Sequence, residues 1–123
     1  MKISIEEIER MSPRDLQNSL QEAFYEVTKA EEKCLIASSV CKDLKGMKDI
    51  KFAEIYKRSN GNSVREVEMN ARISKEWKDY QVALSHAEIE ADKAEVERKK
   101  ATRLWETIRS ILSSRTAEMR SMM

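Results

Sequence analysis

The sequence of 123 residues has few of the residues that interrupt helices or build special sites. It contains two glycines, one proline, two cysteines, one histidine and 6% aromatic residues. So little glycine and proline excludes folds made of many short strands joined by tight turns. The N-terminus has no long apolar run and carries Glu6, Glu7 and Glu9, which predicts neither a signal peptide nor a membrane anchor. We therefore expect a cytoplasmic protein with no membrane partner.

Motifs for catalysis or metal binding are also missing. There is no glycine-rich phosphate loop, no Cys/His metal spacing and no Gly-x-Ser-x-Gly turn. We interpret His86 as a boundary residue and the acids between 88 and 97 as a solvated face. Cys34 and Cys41 lie roughly 10 Å apart along one helix face, beyond the reach of a disulfide, and are interpreted as reduced core residues. We predict no enzyme, no catalytic residue, no metal and no cofactor.

Two long heptad repeats dominate what remains. Apolar residues recur in alternating steps of four and three from Leu16 to Leu44, and again from Ile73 to Leu112. The only run of turn-forming residues, 59–63, separates them. Folding the chain there pairs Leu16 with Trp105 and Cys34 with Ala87. The pattern predicts an all-α protein, an elongated, coiled-coil-like antiparallel helical hairpin. The line of apolar heptad residues along which the two arms pack is called the seam. A pairing swapped between two chains would use the same seam.

The helix signals divide a single domain, 1–123, into four parts. Residues 1–11 form a short leading helix with Ser4 as its cap, and 13–58 form the first arm. Gly46 either kinks or breaks this arm. The second arm covers 63–115 and begins with a capping box of Ser63 and Glu66. We expect residues 116–123 to be a frayed tail.

A second apolar stripe follows the side of the second arm opposite the seam. It could be a set of scattered surface residues, or a packing surface for further copies of the chain. A lone hairpin buries little surface, so we favour assembly into a homo-oligomer. The expected interface residues are Val82, Ile89, Val96, Leu104 and Ile111.

Charges occur in blocks although the net charge is only +1. Residues 42–58 carry six basic and three acidic side chains, whereas 85–97 carry one basic and five acidic. A basic hairpin tip with aromatic residues suits a phosphate backbone and stacked bases. Alternatively, the lysines only solvate a helix end. The candidate nucleic-acid contacts are Lys48, Lys51, Tyr56, Lys57, Arg58, Arg65 and Arg72.

The order of these features resembles a known family. A basic helix (51–58) runs into a Ser/Gly turn, a restart follows at 63–74, and a tryptophan-containing helix closes in a basic stretch (94–115). This order is similar to phage recombination mediators of the UvsY type, over residues 20–115. Glu54 interrupts the basic helix, and only Tyr56 stands near its end, which departs from the family pattern.

The resemblance implies an all-helical protomer that assembles into a ring-like homo-oligomer in the host cell cytoplasm. It implies binding of single-stranded DNA and help in loading a recombinase or annealing protein, with a recombinase and single-strand binding protein as further partners. The implied DNA contacts are Lys48, Lys51, Lys57 and Arg58. The alternative is a coiled-coil scaffold or assembly adaptor with no nucleic-acid role, which would explain the seams equally well.

Overall fold

The chain is helical almost throughout. About 91% of it is helix, and no strand occurs in residues 3–122, which this computed structural model describes. The prediction of an all-α protein is confirmed. No helix in that described range is long and apolar enough to cross a membrane. The helices are α1 Ile5–Arg10, α2 Pro13–Gly46, α3 Lys48–Arg58, α4 Val64–Ile73 and α5 Lys75–Met122.

Serine side chains begin four of these helices. In each case the hydroxyl accepts a hydrogen bond of 3.2 Å from the backbone N–H three residues later. These bonds satisfy N–H groups that have no partner inside the helix. At α4 the carboxylate of Glu66 also reaches back to the backbone N–H of Asn62, at 3.2 Å. The capping serines are Ser4, Ser12, Ser63 and Ser74.

The predicted second arm, 63–115, contains two helices, α4 and α5, instead of one. Ser74 has extended backbone angles, φ −62° and ψ 150°, and separates α4 from α5. Its hydroxyl donates to the carbonyl of Ala71 at 2.7 Å and accepts from the N–H of Trp77. Such local side-chain bonds offer the backbone an alternative to helical pairing, and this explains the interruption.

The first arm is interrupted more mildly, at Met47. This residue keeps right-handed helical angles, φ −88° and ψ −5°. Its N–H donates to the carbonyls of Asp43 and Leu44, at 3.2 and 3.3 Å. Backbone hydrogen bonds from Met47 to Asp43 and from Lys51 to Met47 bridge the junction, where α2 ends at Gly46 and α3 begins at Lys48.

The segment 116–122, for which we predicted a frayed tail, is helical in the structure. Helix α5 continues to Met122, and Met123 lies outside the described residues. No glycine or proline follows Gly61 in the sequence. The last turns contain alanine, glutamate, methionine and arginine, which are good helix formers, so nothing local ends the helix earlier.

The chain forms two compact units. The terminal unit comprises residues up to Cys34 together with those from Ala94 onward, and the central unit is Leu35–Lys93. The core of the terminal unit is built from Ile8, Leu16, Ala23 and Ile108, so α1, α2 and α5 all contribute. The guanidinium of Arg115 donates to the backbone carbonyls of Glu9 and Met11, which fixes the end of α1 against α5.

Within the terminal unit α2 and α5 run antiparallel, but not in the predicted register. The ring of Phe24 packs on Trp105 with 6.2 Å between centroids, and the thiol of Cys34 meets Glu95 at 3.2 Å. The prediction had placed Leu16 opposite Trp105 and Cys34 opposite Ala87. This displacement of about one heptad keeps every seam residue on the seam, so periodicity alone does not exclude it.

The central unit has its own core. It consists of Ile55 on α3, Ala71 on α4, and Trp77 and Tyr80 on α5. The hydroxyl of Tyr80 donates to the backbone carbonyl of Leu44, which ties α5 to the end of α2. Four helices therefore converge on one aromatic cluster, and this cluster positions the candidate site.

Candidate nucleic-acid interface

The turn between α3 and α4 is fixed by several contacts. The Ser59 hydroxyl donates to the carbonyl of Ile55 at 2.7 Å, and the Asn70 amide donates to the carbonyl of Asn60 at 2.5 Å. A Cβ atom at Gly61 would lie 2.8 Å from the backbone nitrogen of Val67. Because backbone cannot move aside cheaply, only glycine fits this close approach. The turn holds α3 and α4 side by side.

An open groove of about 740 Å³ lies on the central unit, between α3, α4 and the start of α5. We call it the aromatic groove. Phe52 meets the buried Trp77 edge to face, with 5.0 Å between centroids, and Trp77 stacks on Tyr80 at 5.4 Å. Phe52 and Tyr56 remain half-buried. The lining residues are Lys48, Asp49, Phe52, Ala53, Tyr56, Arg72, Trp77 and Gln81.

Two of the predicted cations, Lys48 and Arg72, border the aromatic groove. The Arg72 guanidinium lies 5.8 Å from the centroid of the Phe52 ring and forms a 2.7 Å ion pair with Glu68. That ion pair is exposed, so Arg72 can exchange it for a phosphate at little cost. Lys48 and Arg72 thus place positive charge beside accessible aromatic surface.

The other predicted contacts are distributed around the same two helices. Arg58 forms a bidentate pair with Glu76, at 3.0 and 2.7 Å, so its charge is already matched. Lys57 and Tyr56 border a neighbouring depression of about 510 Å³ over the Gly61 turn. Arg65 is exposed and Lys51 half-buried, and neither lines the two depressions.

Sequence reasoning missed part of the groove. Trp77 was assigned only to the hairpin seam, and Gln81 and Asp49 were not singled out. The sequence feature that could have indicated Trp77 and Gln81 is their separation by four residues, which places both on one helix face. Their proximity to Phe52 depends on the break at Ser74, and no sequence pattern indicated that break.

The residues of the predicted oligomer interface differ in their solvent exposure. Val82 and Ile89, in the central unit, are exposed. Val96, in the terminal unit, is also exposed. Leu104 and Ile111 are partly buried against the core of the terminal unit. These last two residues therefore offer less apolar surface to a partner.

One acid of the 88–97 run has a well-defined environment. Arg98 donates to Glu95 from Nε at 3.1 Å and from Nη2 at 2.5 Å, and the Cys34 thiol donates to Glu95 at 3.2 Å. The hydrogen bond from Arg98, followed by that from Cys34, lowers the pKa of Glu95 from 4.5 to about 2. Within residues 3–122 no group of three His, Cys, Asp or Glu side chains is arranged to hold a metal.

Comparison of the chain with protein-family models, with curated proteins and with solved structures gave no match. The functional inference therefore depends on the residues and the geometry described above.

Proposed function

We propose that this protein is a non-enzymatic, self-associating protein that binds single-stranded DNA through the aromatic groove. The observation that carries the proposal is the combination of Lys48 and Arg72 with the half-buried rings of Phe52 and Tyr56 around one open groove. Binding of single strands without sequence preference needs positive charge for the backbone and aromatic faces for the bases. The groove offers both.

The charge on helix α3 supports a polyanion as ligand. Helix α3 carries four basic and two acidic side chains. This excess is small, so one copy would bind weakly. Several copies held together would contact one strand at several points, and multivalency raises the overall affinity without any new contact.

The resemblance to recombination mediators of the UvsY type supplies the biological setting that we propose. A protein of this kind would assist the loading of a recombinase or annealing protein onto single strands covered by single-strand binding protein, in the host cell cytoplasm. The other candidate function is a helical scaffold or assembly adaptor with no nucleic-acid role. The exposed side chains of Val82 and Ile89 favour this second candidate as much as the first.

A titration of a labelled single-stranded oligonucleotide, followed by anisotropy, tests the proposal. Replacing Lys48→Gln together with Arg72→Gln should weaken binding roughly tenfold and reduce the salt slope by about 1.4, since each phosphate contact to a single strand contributes about 0.7. The matched control is Lys33→Gln with Arg103→Gln. It removes two exposed positive charges from the terminal unit instead.

A second variant tests stacking separately from charge. Tyr56→Leu keeps an apolar side chain in the groove but removes the ring, and it should also weaken binding. The proposal would be contradicted if the charge variant bound as tightly as the wild type, or if the wild type did not bind at low salt. The scaffold function would then remain. Helix content measured by circular dichroism should be the same for every variant.

A further inference from the structure

The aromatic groove contains a carboxylate among its cations. Asp49 follows Lys48 on α3 and stands three residues before Phe52 and four before Ala53, so it shares a helix face with both. Asp49 is exposed and forms no ion pair within residues 3–122. An acid at this point opposes the binding of phosphate, so attraction of a polyanion does not explain it. Its two oxygens are hydrogen-bond acceptors for another part of a ligand.

The groove also contains a hydrogen-bond donor without a partner. Trp77 is 7% exposed, and its backbone N–H is bonded to the Ser74 hydroxyl. Its indole N–H donates to no group of the described residues, and it keeps contact with solvent, because the Thr102 hydroxyl is the one fully enclosed side-chain atom there that lacks a partner. A buried indole N–H usually finds a hydrogen-bond partner. Since Trp77 lines the groove, a ligand in the groove is the natural acceptor for this N–H.

The exposed Ala53 leaves space for a flat ring between these groups. It lies one helical turn, roughly 5.4 Å along the axis, from Asp49. The neighbouring ring of Phe52 is 5.0 Å from that of Trp77, and the Arg72 guanidinium is 5.8 Å from the Phe52 centroid. A planar base that lies over Ala53 and against Phe52 would therefore meet an acceptor on one side and donors on the other.

The hydrogen-bonding edges of the four DNA bases indicate which one fits this arrangement. Guanine is the base that presents two adjacent donors, N1–H and the N2 amino group, and these match the two oxygens of one carboxylate. Its O6 and N7 atoms accept hydrogen bonds from lysine or arginine. Thymine offers one N–H donor, and adenine and cytosine offer one amino group each. A groove with an uncommitted carboxylate, an uncommitted N–H and two cations therefore suits guanine best.

We infer that the aromatic groove prefers guanine among the bases of a single strand, and that Asp49 determines this preference. Phe52 provides the stacking surface, and Asp49 accepts from N1–H and N2–H. Lys48, Arg72 and the indole N–H of Trp77 donate to the acceptor atoms of the base and its phosphate. The inference rests on the proposed function, because it requires a strand in the groove. It adds selectivity to the binding that charge and aromatic faces provide for any strand.

Anisotropy titrations with three short labelled strands test the inference on the unmodified protein. The first strand is thymine only, the second carries separated guanines that cannot form a quadruplex, and the third has hypoxanthine in place of each guanine. Hypoxanthine differs from guanine by the missing N2 amino group. The guanine strand should bind roughly tenfold more tightly than the thymine strand, and the hypoxanthine strand should lose most of this difference.

Asp49→Asn tests the carboxylate from the side of the protein. The amide has one acceptor oxygen, and its NH₂ group meets the donors of guanine, so the preference for guanine should fall to less than about threefold. Affinity for the thymine strand should stay equal or rise slightly, because a negative charge is removed. Asp43→Asn is the matched control: it makes the same change at an exposed residue that does not line the groove, and it should keep the full preference.

The outcomes separate this inference from the proposed function. Equal binding of all three strands would overturn the preference for guanine and leave the proposed function standing. A hypoxanthine strand that binds as tightly as the guanine strand, or an Asp49→Asn variant that keeps the preference, would also overturn the inference. Absence of binding to every strand at low salt would refute the inference and the proposed function together. Circular dichroism should give the same helix content for both variants and the wild type.

Discussion

Several arginine side chains of this protein form ion pairs with nearby glutamates, so their charges do not combine into one large positive surface. Arg58 is paired with Glu76, Arg72 with Glu68 and Arg98 with Glu95. The first two pairs are exposed, so their contribution to stability is small and they can open toward a ligand. A count of basic residues in the sequence therefore includes cations that must first exchange a carboxylate before they can bind phosphate.

Glu95 gives a pH-dependent prediction at this scale. Its folded pKa of about 2 lies below the ordinary 4.5, because Arg98 and Cys34 hydrogen-bond to the carboxylate. Stability from this group is therefore present above pH 4.5 and is lost as pH falls toward 2. We expect the melting temperature of the wild type to fall more steeply across this range than that of Glu95→Gln.

The control for this prediction is Glu106→Gln. Glu106 is exposed on the same helix and makes no ion pair among residues 3–122. Its substitution should leave the acid limb of the melting curve unchanged. Identical pH profiles for the wild type and Glu95→Gln would show that the Arg98 and Cys34 contacts do not act in solution.

At the scale of elements, short polar signals decide where the long helices begin and break. Ser12 and Pro13 start α2, and Ser63 starts α4 with a capping box. These signals were readable in the sequence because the side chains at the cap and three residues on are both diagnostic. Ser74 lacks the acidic or amide partner three residues on, where Trp77 stands, so its break was not foreseen.

Replacing Ser74→Ala measures the strength of this break. The substitution removes the hydroxyl that accepts from Trp77 and donates to Ala71, and it should lower the free energy of unfolding by about 1 kcal/mol. Ser85→Ala, at an exposed position inside α5, is the matched control and should change stability by no more than a few tenths of a kcal/mol. Chemical denaturation followed by circular dichroism gives both values. Equal stability of the two variants would mean that the cap contributes nothing.

For the whole molecule, a net charge of +1 predicts that a single copy binds the proposed single-stranded ligand weakly. If several copies share one strand, affinity should depend on strand length as well as on charge. We expect wild-type affinity to rise steeply once an oligonucleotide is long enough to contact two copies.

The double substitution Val82→Gln with Ile89→Gln, at two exposed residues of α5, provides the comparison. It keeps both groove cations and the same net charge, so its affinity for a short strand should match that of the wild type. The additional affinity for longer strands should disappear. A length dependence that survives in a monomeric variant would argue against avidity and toward a longer binding site on each copy.

The helical class, the two seams, the turn at 59–63 and the concentration of positive charge before it can all be read from the amino acids alone. These features depend on local propensity and periodicity, which neighbouring residues specify. The register depends on packing between distant parts of the chain, because a slide of one heptad satisfies the same seam. Tertiary packing also places Trp77 and Arg72 beside Phe52 in one groove, with α4 and α5 separated at Ser74. Leu104 and Ile111, which the pattern assigned to an outer interface, instead pack partly buried against the core of the terminal unit, because burying them inside the chain removes apolar surface from water.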